Sequence, residues 1–163
     1  MAERLKRQDI QISLVDRLTD AAPKERAEAP LTPAQAVRLL RAGLRRDLEW
    51  LLNTRRRIDE PPEGAKELPA SLFLYGLPDM SGRVVGIGRQ QEELAREIEK
   101  AIAIFEPRLK NVSVKAFEAT SVSRVLRFQI DGLLRIDPGP ERIQFDTTLE
   151  LASGSYHVEA RGA

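Results

Sequence analysis

Glu106-Pro107-Arg108 places a carboxylate and a guanidinium on either side of a residue with no backbone donor. Pro107 also disfavours helical backbone at Glu106, so a helix arriving from the N-terminal side must stop here. The two charges are left at a fixed corner with two uses open to them. They can grip a partner of complementary charge, or pair with each other and the nearby backbone. General-acid chemistry fits poorly, because a neighbouring guanidinium favours the ionised carboxylate. Glu49 beside Trp50 sets a second carboxylate next to an aromatic ring. Neighbouring residues on a helix point apart, however, so adjacency builds no pocket of the kind a glycosidase acid needs.

The other reactive side chains are few. There is no cysteine, and the single histidine, His157, falls in an alternating segment with Tyr156 and Val158 that reads as a solvent-facing strand position. Thiolate chemistry, disulfides and the usual zinc or transition-metal ligand sets are therefore excluded within one chain. The glycines between Gly82 and Gly88 lack the lysine and spacing of a phosphate loop. No cofactor is expected. The arginines are more prominent, at 20 against 6 lysines. Seven of them, Arg38, Arg41, Arg45, Arg46, Arg55, Arg56 and Arg57, cluster with only Asp47 and Glu49 between them. Such a patch suits nucleic acid or an ion-paired protein interface. The strands lack the basic and aromatic surface of single-strand binders, and a net charge of +1 gives no global drive to polyanions.

The elements that must position these residues follow from periodicity. Thr32 and Gln35 make a capping box with Pro33 at the first helical position, starting a helix that carries Val37, Leu40, Leu44, Leu48 and Leu51 on one face. Leu39, Gly43 and Trp50 lie nearly opposite, and Gly43 predicts close approach of another element there. A second helix spans about Arg89 to Phe105, with Leu94, Ile98, Ala101, Ile102 and Phe105 on a face. After the Glu-Pro-Arg corner the period falls to two. Val112, Val114 and Ala116, then Leu126, Phe128, Ile130 and Leu134, then Ile143, Phe145, Thr147 and Leu149 each mark an alternating strand. Asp137-Pro138-Gly139-Pro140 joins the last two as an antiparallel pair, and a short strand follows Gly154.

The expected fold is α+β, with N-terminal helices packed on a three- or four-stranded antiparallel sheet in a single domain. Residues 1–30 are expected as a flexible arm with an apolar tip at 10–18 able to dock, 31–153 as the folded domain, and 154–163 as a C-terminal strand or tail. No segment reaches the roughly 18–20 apolar residues of a membrane span, and the N-terminus lacks a signal-peptide core.

Several segments in order resemble a known family. Arg45-Arg46-Asp47-Leu48-Glu49-Trp50-Leu51-Leu52-Asn53-Thr54-Arg55-Arg56, Ser71-Leu72-Phe73-Leu74-Tyr75-Gly76-Leu77-Pro78-Asp79 and Phe105-Glu106-Pro107-Arg108-Leu109 are similar to blocks of the TssE family. These are type VI secretion baseplate subunits related to the lysozyme-like wedge proteins of contractile phage tails. Ser13-Leu14-Val15-Asp16-Arg17-Leu18 resembles the family's N-terminal segment. The resemblance implies a structural, cytoplasmic subunit that joins TssF, TssG and TssK in a multi-subunit baseplate and offers a sheet on which the TssB–TssC sheath polymerises. It transfers no catalytic pair. The protein-interaction residues it marks are Glu106, Pro107 and Arg108, with Arg45, Arg46, Trp50, Asn53, Arg55 and Arg56 on the preceding helix. A peptidoglycan hydrolase and an Arg-rich nucleic-acid-binding domain are the alternatives.

Overall fold

The computed structural model describes residues 13–19, 32–59, 61–79, 89–117, 125–136 and 139–161. A short helix α1 (Leu14–Leu18) precedes α2 (Pro33–Asn53) and α3 (Arg89–Phe105). Strands β1 (Leu109–Phe117), β2 (Val125–Leu134), β3 (Glu141–Glu150) and β4 (Ser155–Ala160) form one antiparallel meander in the order β1-β2-β3-β4. The architecture is the expected α+β class. The glycine-rich connector at 81–88, most of the arm over 1–30 and Asp137-Pro138 of the β2–β3 turn lie outside the described residues.

Helix α2 starts as its sequence dictates. The Thr32 hydroxyl accepts from the Gln35 backbone N–H at 3.3 Å while the Thr32 N–H donates to Gln35 Oε1 at 2.8 Å. Leu40, Leu44, Leu48 and Leu51 then turn inward against Leu94, Ile98 and Ile102 of α3 and the even residues of β2. From β3 the odd residues Ile143, Phe145, Thr147 and Leu149 are buried, and from β4 Tyr156 and Val158. The helices therefore cover one face of the sheet and leave the other to solvent, the arrangement antiparallel sheets allow. Each fully buried Leu, Ile or Phe here contributes about 1.5–3 kcal/mol.

Tight backbone geometry marks two joints. Gly76 adopts φ +107, and a Cβ there would run into the Thr54 carbonyl oxygen. This lets the strip after the 3-10 turns Leu68–Ala70 and Leu72–Leu74 lie along the end of α2, where Leu77 N–H donates to Thr54 O at 2.9 Å and Arg56 N–H to Leu77 O at 2.7 Å. Asn111 sits at φ 50 where the β1–β2 register slips between Lys110 and Ser113, a bulge at the start of β1.

The two margins of the sheet are treated differently. The outer margin of β4 is closed by side chains from α2. Asn53 Nδ2 donates to Tyr156 O at 2.8 Å, Tyr156 N–H donates to Asn53 Oδ1 at 2.9 Å, and Arg45 Nη1 donates to Val158 O at 3.2 Å. One carboxamide thus satisfies both main-chain groups of Tyr156, as a neighbouring strand would. On the outer margin of β1, among the described residues, a single bond is made, from Val114 N–H to Glu99 Oε2 at 3.1 Å.

Asn53→Ala strips Tyr156 of both partners, and leaving such groups unmet costs about 1–3 kcal/mol. We expect a lower melting temperature, with amide exchange accelerated at Tyr156 before the β2–β3 pair. Unchanged exchange at Tyr156 would show that the carboxamide does not hold β4.

Candidate functional site

Helix α3 ends at Phe105, and the chain reverses through Glu106-Pro107-Arg108-Leu109 in a turn closed by Leu109 N–H donating to Glu106 O at 3.1 Å. Pro107 takes the second position, which its fixed φ suits. The corner forms as its sequence requires, but it does not display its charges. Glu106 is only 5% exposed. Its Oε1 accepts from Arg108 Nε at 2.6 Å and from the Arg108 backbone N–H at 3.3 Å, and its Oε2 pairs with Arg108 Nη2. Of the two uses left open by the sequence, internal pairing is the one realised.

Arg108 also reaches across the fold. Its Nη2 donates to Asp47 Oδ2 of α2 at 2.6 Å. The other oxygen of Asp47 accepts from Arg46 Nη2 at 3.0 Å and Nε at 3.2 Å. Arg46 in turn pairs with Asp16 of α1, whose Oδ2 also accepts from the Ser13 hydroxyl at 2.6 Å. The result is an unbroken ionic chain, Glu106–Arg108–Asp47–Arg46–Asp16, running from the start of β1 through α2 to α1. The bonds from Glu106 and Asp47 raise the pKa of Arg108, against the opposing effect of its burial. Hydrogen bonding from Arg46 holds Asp16 below the ordinary carboxylate value of 3.8, and Ser13 adds to the shift.

Gly43 explains how α1 comes so close. A Cβ at this position would stand 2.6 Å from Asp16 Oδ2, so glycine opens the notch that receives the carboxylate. The element that the sequence required at Gly43 is α1. It is held by polar contacts and leaves Leu14 67% and Leu18 77% exposed. Beside it, the Arg46 guanidinium lies over the Trp50 ring at 5.0 Å, and Trp50 itself is 52% exposed.

The remaining expected interaction residues are distributed. Arg45 pairs with Glu49 at 3.0 Å and Asn53 is committed to β4. Arg55 approaches Asp79 at 3.8 Å, and Arg56 is joined through its backbone to Leu77. The arginine patch is largely neutralised by acids outside it: Glu141 for Arg41, Asp16 for Arg46 and Asp79 for Arg55, all distant in sequence, and Asp59, two positions on, for Arg57. A tally along α2 counts Asp47 and Glu49 but misses all four. Asp16, Asp47 and Glu99 were not singled out by the sequence. Asp47 stands inside the Arg-Arg-Asp block, but nothing local foretells its bond to Arg108, 61 positions away.

His157 is exposed on β4, its Nδ1 3.9 Å from Glu49. Among the described residues no group of acids and histidines is arranged to hold a metal, and no helix is long and apolar enough to cross a membrane.

A helix-backed antiparallel meander, locked by ionic pairs and with its conspicuous carboxylate tied to arginine, has the makings of a structural subunit. The family model for the baseplate wedge protein gp25 matches residues 38–139, and the chain belongs to that family, which includes the TssE proteins. Neither a curated protein nor a solved structure matches it. Its members are structural components of multi-subunit, phage-tail-like baseplates.

Removing Arg108 strands the buried Glu106 carboxylate, at a cost of about 3–5 kcal/mol. Arg108→Ala should therefore lose roughly 3 kcal/mol in chemical denaturation, whereas Glu106→Ala/Arg108→Ala together should lose less than the sum. Strict additivity would mean the two are not coupled. The depressed pKa of Asp16 sets the sign for α1. Its contribution is complete above the ordinary carboxylate range and is lost as pH falls through the lower folded value. Backbone chemical shifts of residues 14–18 should thus hold steady down to about pH 4 and move toward coil values only below it. A transition centred above pH 5 would contradict the pairing.

Proposed function

We propose that this chain is the TssE-like subunit of a type VI secretion baseplate. It joins the TssF–TssG wedge, with TssK in the same assembly, to the TssB–TssC sheath, and it seeds sheath polymerisation at the cytoplasmic side of the inner membrane. It works by presenting surfaces and catalyses no reaction. The observation that carries this reading is the asymmetry of the sheet within a chain of the baseplate wedge family.

Strand addition needs a row of main-chain donors and acceptors that the protein has not already satisfied. Asn53 and Arg45 occupy that row on β4. On β1, Glu99 holds one donor through a single side-chain bond, which an incoming carbonyl can replace. We therefore assign the sheath-facing margin to β1.

The helical side is the wedge-facing side in this proposal. A half-exposed tryptophan stacked by arginine is the type of residue that dominates binding energy at interfaces, and Trp50 has Arg46 over it and Arg55 and Arg56 a turn beyond. Glu106, Pro107 and Arg108 serve this surface from beneath, fixing α2 and α1 relative to the sheet.

Val114 points its N–H away from β2, and by the period of two Ala116 does the same. Ala116→Pro removes an outward donor without breaking the β1–β2 ladder, since proline is tolerated on edge strands. Cells carrying it should form no sheaths, while the protein still copurifies with TssF and TssG. Sheaths of normal number and length in this variant would refute the assignment.

A further inference from the structure

Glu99, whose carboxylate holds the outer margin of β1, differs from the other acids of α3. Glu93 pairs with Arg89 at 3.3 Å, Glu97 with Lys100 at 3.1 Å and Glu92 with Arg96 at 4.0 Å. Glu99 has no cation among the described residues, and the bond it makes there is from Val114 N–H to its Oε2. Lys115 follows Val114 in sequence, but successive strand residues point to opposite faces, so it stands on the far side of the sheet. The Glu99 side chain is half-buried at the seam between α3 and β1. Val112, Val114 and Ala116 share its side of the sheet, packed against the core yet partly exposed. The open margin thus presents an apolar row with one unmatched carboxylate above its middle.

We infer that Glu99 selects the strand that β1 accepts, admitting an extended segment with a basic side chain flanked by apolar ones on its helix-facing side. This rests on β1 being the sheath-facing margin. An added strand sets a carbonyl on Val114 N–H and displaces the carboxylate from it. Glu99 is then held between α3 and the newcomer with its charge unmatched. Residues directly opposite in an antiparallel pair share a face, with Cβ atoms about 5 Å apart. The residue facing Val114 therefore turns toward the helices, as Val114 does beside the buried Ile130. A lysine or arginine there reaches Glu99 and replaces the lost bond with a charge-assisted one. A neutral side chain leaves the acid unpaired, and an acidic one adds repulsion. The alternate positions on either side meet Val112 and Ala116, which favours apolar side chains. Inward-pointing charge is a common guard on edge strands, and here it also tells one strand from another.

The test uses the full chain and fluorescence anisotropy at low salt, with labelled Thr-Val-Thr-Lys-Thr-Val-Thr as the probe. The same peptide with glutamate in place of lysine is the comparator. The lysine peptide should bind at least about tenfold more tightly than the glutamate peptide, and A116P should weaken its binding about tenfold or more. E99K should reverse the preference, and E99Q, which keeps the size of the side chain, should reduce it to about twofold or less. If E99K does not fold, E99Q decides. Binding that is sensitive to A116P but indifferent to the central residue would overturn the selector and leave β1 as the accepting margin. A lysine preference retained in folded E99Q would do the same. Lysine-peptide binding untouched by A116P, or no binding of either peptide, would overturn the selector together with the margin on which it rests.

Discussion

A carboxylate held between two guanidiniums is the constraint on which this protein depends. Asp47 gives one oxygen to Arg108 and the other to Arg46, and through them it joins the first strand to the helix that spans the molecule and to the short helix before it. Neither guanidinium can shed its charge, so the acids keep their partners over the whole physiological range. Burying Glu106 would cost several kcal/mol if it stood alone. The forked Arg108 and its backbone N–H offset that cost, and they do so only while the Glu-Pro-Arg turn holds them in place. Geometry and charge are mutually dependent here.

This dependence changes what the Glu-Pro-Arg corner does. A corner that exposed its charges would bind by them directly. A corner that spends them internally instead governs the shape of what lies above it: the position of α1 in the Gly43 notch, the stacking of Arg46 on Trp50, and the angle at which β1 leaves α3. Rigidity of this kind suits a component of a multi-subunit assembly, since flexible surfaces lose ordering entropy on every contact.

Much of the fold was legible in the sequence because it rests on periodicity and punctuation. The Thr32–Gln35 box, the stripe from Leu40 to Leu51 and the change of period after Pro107 all act locally, and each produced the element it predicts. Gly43 was legible in a subtler way: the absent side chain announced a neighbour, though not its identity. What could not be read were pairings between distant charges. The arginines of α2 look like a basic surface in sequence because Asp16, Asp79 and Glu141 are remote along the chain. Glu99 gave no sign either, since a glutamate on an amphipathic helix is ordinarily solvated, and only the fold sets it against Val114.

The carboxamide of Asn53 has a consequence for stoichiometry. A sheet that can accept chain on both flanks is free to stack on copies of itself, and such head-to-tail contacts propagate without limit unless rotation closes them into a ring. By plugging one flank with a side chain, this protein gives up that freedom. In the proposed role it is the bottom rung of a ladder built from other molecules, and the plugged flank works against copies of it becoming the ladder.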